Sequence, residues 1–129
     1  MGMVDKLDFP KKKGYPIRCK VYIPSTQGNK RISKAEHMRR ARIFKKKMIS
    51  LFGGTTSIKA SGSWYSGARV INEPVLLVES YTTRVNWNKN DKKIKAYINK
   101  KKKEWKQQAI SMEWEDLSKN LSIEGMHFI

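Results

Sequence analysis

A pair of glycines followed by a pair of threonines is the first stretch of this sequence with residue types suited to binding a ligand. Gly53, Gly54, Thr55 and Thr56 follow one another. Glycines let backbone amides come close to a phosphate group, and hydroxyl groups add further contacts. The stretch follows a predicted helix and precedes a predicted strand, however, whereas phosphate loops usually lead from a strand into a helix N-terminus. It therefore favours a helix stop, and a module that binds a nucleotide or a signalling dinucleotide is the alternative.

Carboxylates on two predicted strands are the second set of residues that could do chemistry. Glu79 lies in an apolar stretch, and a later strand could bring Glu113 beside it. Two carboxylates on adjacent strands can hold a magnesium ion for phosphodiester cleavage, so a small endoribonuclease or toxin-like enzyme, with or without metal, is a further alternative. Charge pairing across the sheet is the simpler interpretation. The other residues considered for such an enzyme or such pairs are Arg18, Lys20, Tyr81 and Arg84.

Histidine and cysteine are too sparse to suggest a metal site. His37 and His127 have no partner at the spacing of metal ligands, and Cys19 is the single cysteine. We therefore expect no metal ion and no cofactor. Cys19 lies in an alternating apolar stretch, which predicts a buried structural thiol in a protein of a reducing compartment.

Aromatic residues on the predicted strands could stack on bases if they lay on an open face of a sheet. No segment matches the consensus of RNA-recognition modules. Alternation along each strand sends some of the rings inward, so packing in the core is the competing interpretation. The residues concerned are Tyr22, Trp64, Tyr65, Tyr81 and Trp114.

Basic residues dominate the composition, with 28 Lys and Arg against 11 Asp and Glu and a formal net charge of +17. A field of this strength attracts polyanions, and nucleic acids are the commonest of these in cells. We therefore predict a non-catalytic domain that contacts the phosphate backbone of RNA or DNA. Lysine-rich composition also arises from genome composition or a hot habitat. The residues predicted to contact nucleic acid are Lys11, Lys12, Lys13, Lys20, Arg39, Arg40, Arg42, Lys45, Lys46, Lys47 and Arg84.

The elements that must position these residues alternate between strand and helix patterns. Ser33 and Glu36 form a capping box that begins the first helix, and a cap at Asn90 or Asp91 begins the second. The order βαββαβ is that of a ferredoxin-like α+β sandwich, with an antiparallel sheet and two helices on one face. The predicted strands are Ile17–Ile23, Thr55–Tyr65, Val75–Tyr81 and Ala109–Trp114, with a short last strand at Met126–Ile129.

Length and hydropathy predict a single domain. A chain of 129 residues can bury a core without cross-links, and we divide it into a flexible basic arm (1–15) and one α+β domain (16–129). No run of about 18 apolar residues is present, so neither a membrane span nor a signal peptide is predicted. We expect a cytoplasmic protein with nucleic acid as partner, no membrane partner, and a homodimer that covers an open edge or face of the sheet.

Short stretches spread over most of residues 17–129 resemble a family of small uncharacterised bacterial α+β proteins. The stretches are Val21–Thr26, Leu51–Thr56, Gly62–Trp64, Glu73–Tyr81 and Gly125–Ile129. The resemblance implies a compact α+β domain and brings no assigned activity with it.

Overall fold

The computed structural model describes residues 15–118 and 123–129 of the chain. The predicted basic arm therefore lies, apart from Tyr15, outside the described residues. In chain order the elements are β1 (Ile17–Ile23), β2 (Thr26–Gln27), β3 (Lys30–Arg31), α1 (Lys34–Phe52), β4 (Thr56–Ser66), β5 (Arg69–Thr82), α2 (Arg84–Glu104), β6 (Ser111–Asp116) and β7 (Ile123–Phe128).

The main sheet has the strand order β4-β5-β1-β6-β7, and every neighbouring pair in it is antiparallel. Together with α1 and α2, the strands β1, β4, β5 and β6 have the topology of a ferredoxin-like sandwich, which confirms the fold class predicted from the sequence. β7 adds a fifth strand beside β6. The segment between β1 and α1 contains a small separate hairpin, β2–β3.

The core lies between the central strand and the two helices. Ile17, Cys19, Val21 and Ile23 of β1 are buried and belong to one cluster with residues of α1 and α2, because alternate side chains of a strand point to one face. Burial raises the pKa of the Cys19 thiol to about 12. The prediction of a buried structural thiol is therefore confirmed.

Both predicted ends of α1 are confirmed. The Ser33 Oγ accepts a hydrogen bond from the Glu36 N–H at 3.0 Å, and Gly53 ends the helix in the left-handed region with φ +94°. Glycine adopts this conformation without the cost that a Cβ would add. Met38, which the helical spacing places on the core face, is in fact 49% exposed.

α2 begins earlier than predicted, so the proposed cap at Asn90 or Asp91 is wrong. Thr83 is the N-cap, and its Oγ1 accepts from the Asn86 N–H at 3.0 Å. Asn90 is buried and donates to the Leu51 carbonyl at 3.0 Å. Asn90, whose residue type is common at helix caps, therefore joins α2 to the end of α1 through its side-chain hydrogen bond. In the described part of the chain, no helix is long and apolar enough to cross a membrane.

β5 begins at Arg69, so the predicted start of this strand at Val75, after Pro74, is wrong. Pro74 pairs with Ser61 of β4, whereas the pairing of β5 with β1 starts only at Leu76. The missing N–H of proline is tolerated where a strand has one neighbour. The β4–β5 hairpin consequently extends past the end of β1.

Candidate functional site

A cavity of about 340 Å³, here called the α1–β4 cavity, lies where α1 ends and β4 begins. The segment 53–56 and the β5 segment 79–81 both line it. Thr56 is paired with Glu79 in the sheet, so these two segments are held together by strand pairing. The complete lining is Tyr15, Phe52, Gly53, Gly54, Thr55, Thr56, Glu79, Ser80 and Tyr81.

Two side-chain hydrogen bonds fix the glycine-containing segment against β5. The Thr55 hydroxyl donates to the Glu79 carbonyl at 2.9 Å, and the Ser80 hydroxyl donates to the Gly54 carbonyl at 2.6 Å. Because both bonds join the same two segments, the cavity has a preorganised wall. A site of this kind loses little freedom when a ligand binds.

Glu79 and Tyr81 lie on the same face of β5, since successive side chains of a strand alternate. Burial raises the pKa of Tyr81, the neighbouring Glu79 carboxylate raises it further, and the Arg18 guanidinium acts in the opposite direction. The phenol is therefore protonated at neutral pH and can donate a hydrogen bond. The α1–β4 cavity thus contains a carboxylate beside a phenol O–H.

Ion pairs cover the open face of the sheet around β1. Arg18 pairs with Glu115, and the Lys20 Nζ lies 3.4 Å from the Glu113 Oε1. Lys20 is opposite Glu79 in β5 and opposite Glu113 in β6, so a lysine residue lies between the two residues proposed to bind magnesium. Among the residues that the structure describes, no group of three His, Cys, Asp or Glu side chains could hold a metal ion. Charge pairing, the simpler interpretation, is confirmed for Lys20 and Arg18.

Arg40 is buried, with 2% of its surface exposed, so its predicted contact with nucleic acid is wrong. Its guanidinium donates to the Thr26 carbonyl at 2.8 Å and to the Gln27 Oε1 at 2.6 Å. It also lies 4.7 Å from the centre of the Trp105 ring. Arg40 therefore fastens the β2–β3 hairpin to α1 and to the end of α2.

The other predicted contact residues are not brought onto one surface. Lys20 lies on the open face of the sheet, on the side away from α1. Arg84 pairs with the buried carboxylate of Asp116. Within α1, Arg39 donates two hydrogen bonds of 2.7 Å to Glu36. The remaining α1 residues, Arg42, Lys45, Lys46 and Lys47, are exposed or half-buried, and Lys11, Lys12 and Lys13 lie outside the described residues.

The aromatic residues of the strands are divided among four places. Tyr22 lies on the partly exposed face of β1, and its hydroxyl donates to the Glu113 Oε1 at 3.4 Å. Trp114 packs against the core, with its ring 5.3 Å from that of Trp87. Trp64 and Tyr65 lie near the tip of the β4–β5 hairpin and are 46% and 77% exposed. Tyr81 lines the α1–β4 cavity. The rings therefore form no continuous stacking platform in the described structure.

Sequence reasoning named six of the nine cavity residues, but for different sites: Gly53, Gly54, Thr55, Thr56, Glu79 and Tyr81. It assigned no binding role to Tyr15, Phe52 or Ser80. The sequence did contain a signal for Ser80, because it is a hydroxyl residue inside an apolar strand. In the structure this side chain is 1% exposed. A buried hydroxyl needs a hydrogen-bond partner, and in this case the partner is the loop at Gly54.

The fold is similar to that of a solved phage SAM lyase. The complex of that enzyme with S-methyl-5′-thioadenosine aligns with a TM-score of 0.64 and 11% sequence identity, over 92% of this chain and 91% of that one. The apo state aligns with a TM-score of 0.61 and 9% identity, over 90% of each chain. At these identities the likeness shows the fold. No family model and no curated protein matches the chain.

The comparison corrects the main functional prediction. The structural neighbours are an enzyme named for SAM (S-adenosylmethionine) and its complex with a small thioadenosine, not nucleic-acid-binding proteins. The prediction of a non-catalytic nucleic-acid-binding domain is therefore wrong, and so is nucleic acid as the partner. The endoribonuclease alternative is contradicted by the same finding.

Proposed function

We propose that this protein is a lyase that cleaves S-adenosylmethionine and releases S-methyl-5′-thioadenosine. The observation that carries the proposal is the α1–β4 cavity, which lies in a chain whose fold matches phage SAM lyase along about nine-tenths of both chains. Fold alone does not assign an activity, so the chemistry of the cavity residues has to fit the reaction as well.

The reaction needs little acid or base chemistry. The substrate's own carboxylate oxygen attacks the γ-carbon of the methionine moiety, which is bonded to the sulfonium sulfur. The electron pair of that C–S bond stays on sulfur, and the products are a neutral thioether and a five-membered lactone. No proton is transferred and no water or oxidant is consumed. The protein has to bind and fold the substrate so that carboxylate and carbon meet, a contribution of proximity and orientation.

The residues of the cavity suit that task. The lining residues include one carboxylate, two phenols and three hydroxyl side chains, with no histidine or cysteine. The Glu79 carboxylate is suited to attract the cationic sulfonium group. Aromatic rings such as those of Tyr15 and Tyr81 attract cations by their faces and offer apolar surface to the adenine.

Charge changes during the reaction also favour a partly enclosed cavity. A sulfonium cation and a carboxylate anion become two neutral groups in the product, so the transition state is less charged than the bound substrate. Removing water destabilises the separated charges more than the transition state.

We also propose that the protein works in the cytoplasm, which the single buried thiol of Cys19 supports.

The test is a direct product assay. Purified protein is incubated with S-adenosylmethionine, and thioadenosine and lactone are quantified by liquid chromatography and mass spectrometry. We expect both products in equal amounts from the wild type, a large loss in Glu79→Gln, and no loss in Glu104→Gln, a control on the partly exposed end of α2.

Two other outcomes would each change the conclusion. If S-methyl-5′-thioadenosine binds, as measured by calorimetry, but no product forms at high protein concentration, the cavity is a binding site and the lyase proposal fails. If neither binding nor turnover is detected, the α1–β4 cavity is not a site for this nucleoside.

A further inference from the structure

A second cavity, of about 320 Å³, lies at the opposite end of α1 and is here called the α1 N-terminal cavity. Its walls come from the β2–β3 region, the first turn of α1 and the middle of β4 and β5. The two cavities share no lining residue among those described. α1 has 19 residues, so the two cavities lie at opposite ends of a helix roughly 28 Å long.

A buried hydroxyl without a partner lines this second cavity. Ser25 is 2% exposed, and its Oγ has no hydrogen-bond partner among the described residues. Its own backbone carbonyl is occupied by the Ile32 N–H at 2.9 Å, so the backbone at Ser25 is fixed while the hydroxyl is not satisfied. Proteins leave few buried polar groups in this state, and a ligand is one of the groups that can satisfy them.

Positive charge converges on the same cavity from three elements. Arg31 of β3, Lys34 of α1 and Lys59 of β4 line it, and the N-terminus of α1 adds the positive end of the helix dipole. Arg31 uses one Nη2 donor on the Asn72 carbonyl at 3.0 Å, which leaves further guanidinium N–H groups. Glu36, the acidic residue of the first turn, is held by two hydrogen bonds from Arg39.

Apart from Ser33 and His37, the remaining lining is apolar, and it explains the exposure of Met38. Ile32, Met38, Val75 and Leu76 line the cavity. Met38 continues the apolar spacing of α1 into its first turns, yet it is 49% exposed, because the cavity and not the core lies beside it. An apolar wall next to converging cations is typical of sites for small molecules with few polar groups.

We propose that the α1 N-terminal cavity binds a small carboxylate with an apolar body. The carboxylate faces the N-terminus of α1, the Ser25 hydroxyl and the three cationic side chains, and the apolar body packs on Met38 and the β5 residues. The volume accommodates roughly ten non-hydrogen atoms, by comparison with the space that liquid water molecules fill. This site is separate from the proposed lyase function and does not depend on it.

The probe for the proposal is hexanoate, followed by amide chemical shifts in two-dimensional NMR. We expect saturable shifts at residues 25 and 32–38, with a dissociation constant on the order of 1 mM for a ligand of this size. Acetate at the same ionic strength tests charge alone, hexylammonium tests the sign of the charge, and hexanol tests the apolar body alone. All three should bind clearly more weakly than hexanoate.

Three variants separate a built site from general attraction of anions to a basic protein. Ser25→Ala and Lys34→Gln should each weaken hexanoate binding roughly tenfold. Lys46→Gln removes an exposed charge elsewhere on α1 and should leave it unchanged. The proposal is overturned if Lys46→Gln weakens binding equally, if hexanol binds as well as hexanoate, if the shifts lie only at residues 53–56, or if hexanoate does not bind.

Discussion

Replacing Glu79 by Gln removes the negative charge of the α1–β4 cavity while keeping the size of the side chain. Two unit charges 4 Å apart interact by about 4 kcal/mol at an effective dielectric constant of 20 and by about 1 kcal/mol in water. Glu79 is half-buried and Lys20 lies opposite it in the sheet, so about 1–2 kcal/mol is a suitable range. A cationic ligand should therefore lose about tenfold in affinity.

The assay uses two nucleosides that are not cleaved and that differ mainly in charge near the former sulfur position. Sinefungin carries an amine there, and S-adenosylhomocysteine carries a neutral thioether. Calorimetry on Glu79→Gln should show about a tenfold loss for sinefungin and little change for S-adenosylhomocysteine. Equal losses for both would mean that Glu79 contacts the nucleoside and not the cation. No loss for either would remove Glu79, and with it this cavity, from the proposed site.

Four further predictions follow from the same structure. Arg40→Ala should lower the free energy of unfolding by about 3 kcal/mol, because it removes a buried side chain that packs on Trp105 and hydrogen-bonds to Thr26 and Gln27, whereas Arg42→Ala should change it by less than about 0.5 kcal/mol; urea denaturation compares them. Burial alone would raise the pKa of Asp116, but hydrogen bonds from Ser118 and the Arg84 pair lower it below the ordinary 3.8. The stability that this group adds is present above about pH 4 and is lost as the pH falls through the lowered pKa, so the difference in urea midpoint between wild type and Asp116→Asn should shrink in acid. A Cβ added at Gly54 would meet no atom within 4 Å, so Gly54→Val should keep the fold by circular dichroism and weaken S-methyl-5′-thioadenosine binding by about 1–2 kcal/mol through crowding. Finally, kcat/KM for S-adenosylmethionine should rise between low and physiological salt in stopped assays.

Local signals in the sequence were sufficient for the central strand and for α1. β1 has the predicted bounds because its alternation and Pro24 are both local, and Ser33 with Gly53 marks the two ends of α1. The start of α2 was missed because Asn90 resembles a cap, yet its side chain binds the carbonyl of Leu51, a residue distant in sequence. Local propensity cannot show whether a polar residue caps its own helix or hydrogen-bonds to a neighbouring helix.

The candidate site depended on contacts that the sequence does not reveal. The segment 53–56 was noticed for its glycines and Glu79 for its carboxylate, but their meeting requires the register that pairs Thr56 with Glu79. Strand register is set by the hairpin turn and by packing along the whole strand. The turn at residues 66–69 lies well away from the cavity, so an error of one residue there would have moved the site.

The net charge led to a wrong functional prediction, because a count of charged residues does not show where they lie in the fold. Several cations that were assigned to a polyanion are used inside the fold, with Arg40 buried against backbone carbonyls and Arg84 paired with Asp116. The remaining excess still produces a positive field around a protein of formal charge +17. For nucleic acid that field would assist binding, and affinity would fall steeply as salt is added.

For S-adenosylmethionine the same field acts in the opposite direction. The substrate carries a sulfonium, an ammonium and one carboxylate, so its net charge is positive and the protein as a whole repels it. Salt screens charges separated by more than about 8 Å at physiological ionic strength, which weakens the repulsion from the helices more than the contact attraction of Glu79 within the cavity. The rate of capture should therefore increase with salt, whereas binding of the neutral S-methyl-5′-thioadenosine should hardly change. A local carboxylate is the physical requirement for such a protein to bind a cation, and in the α1–β4 cavity Glu79 provides it.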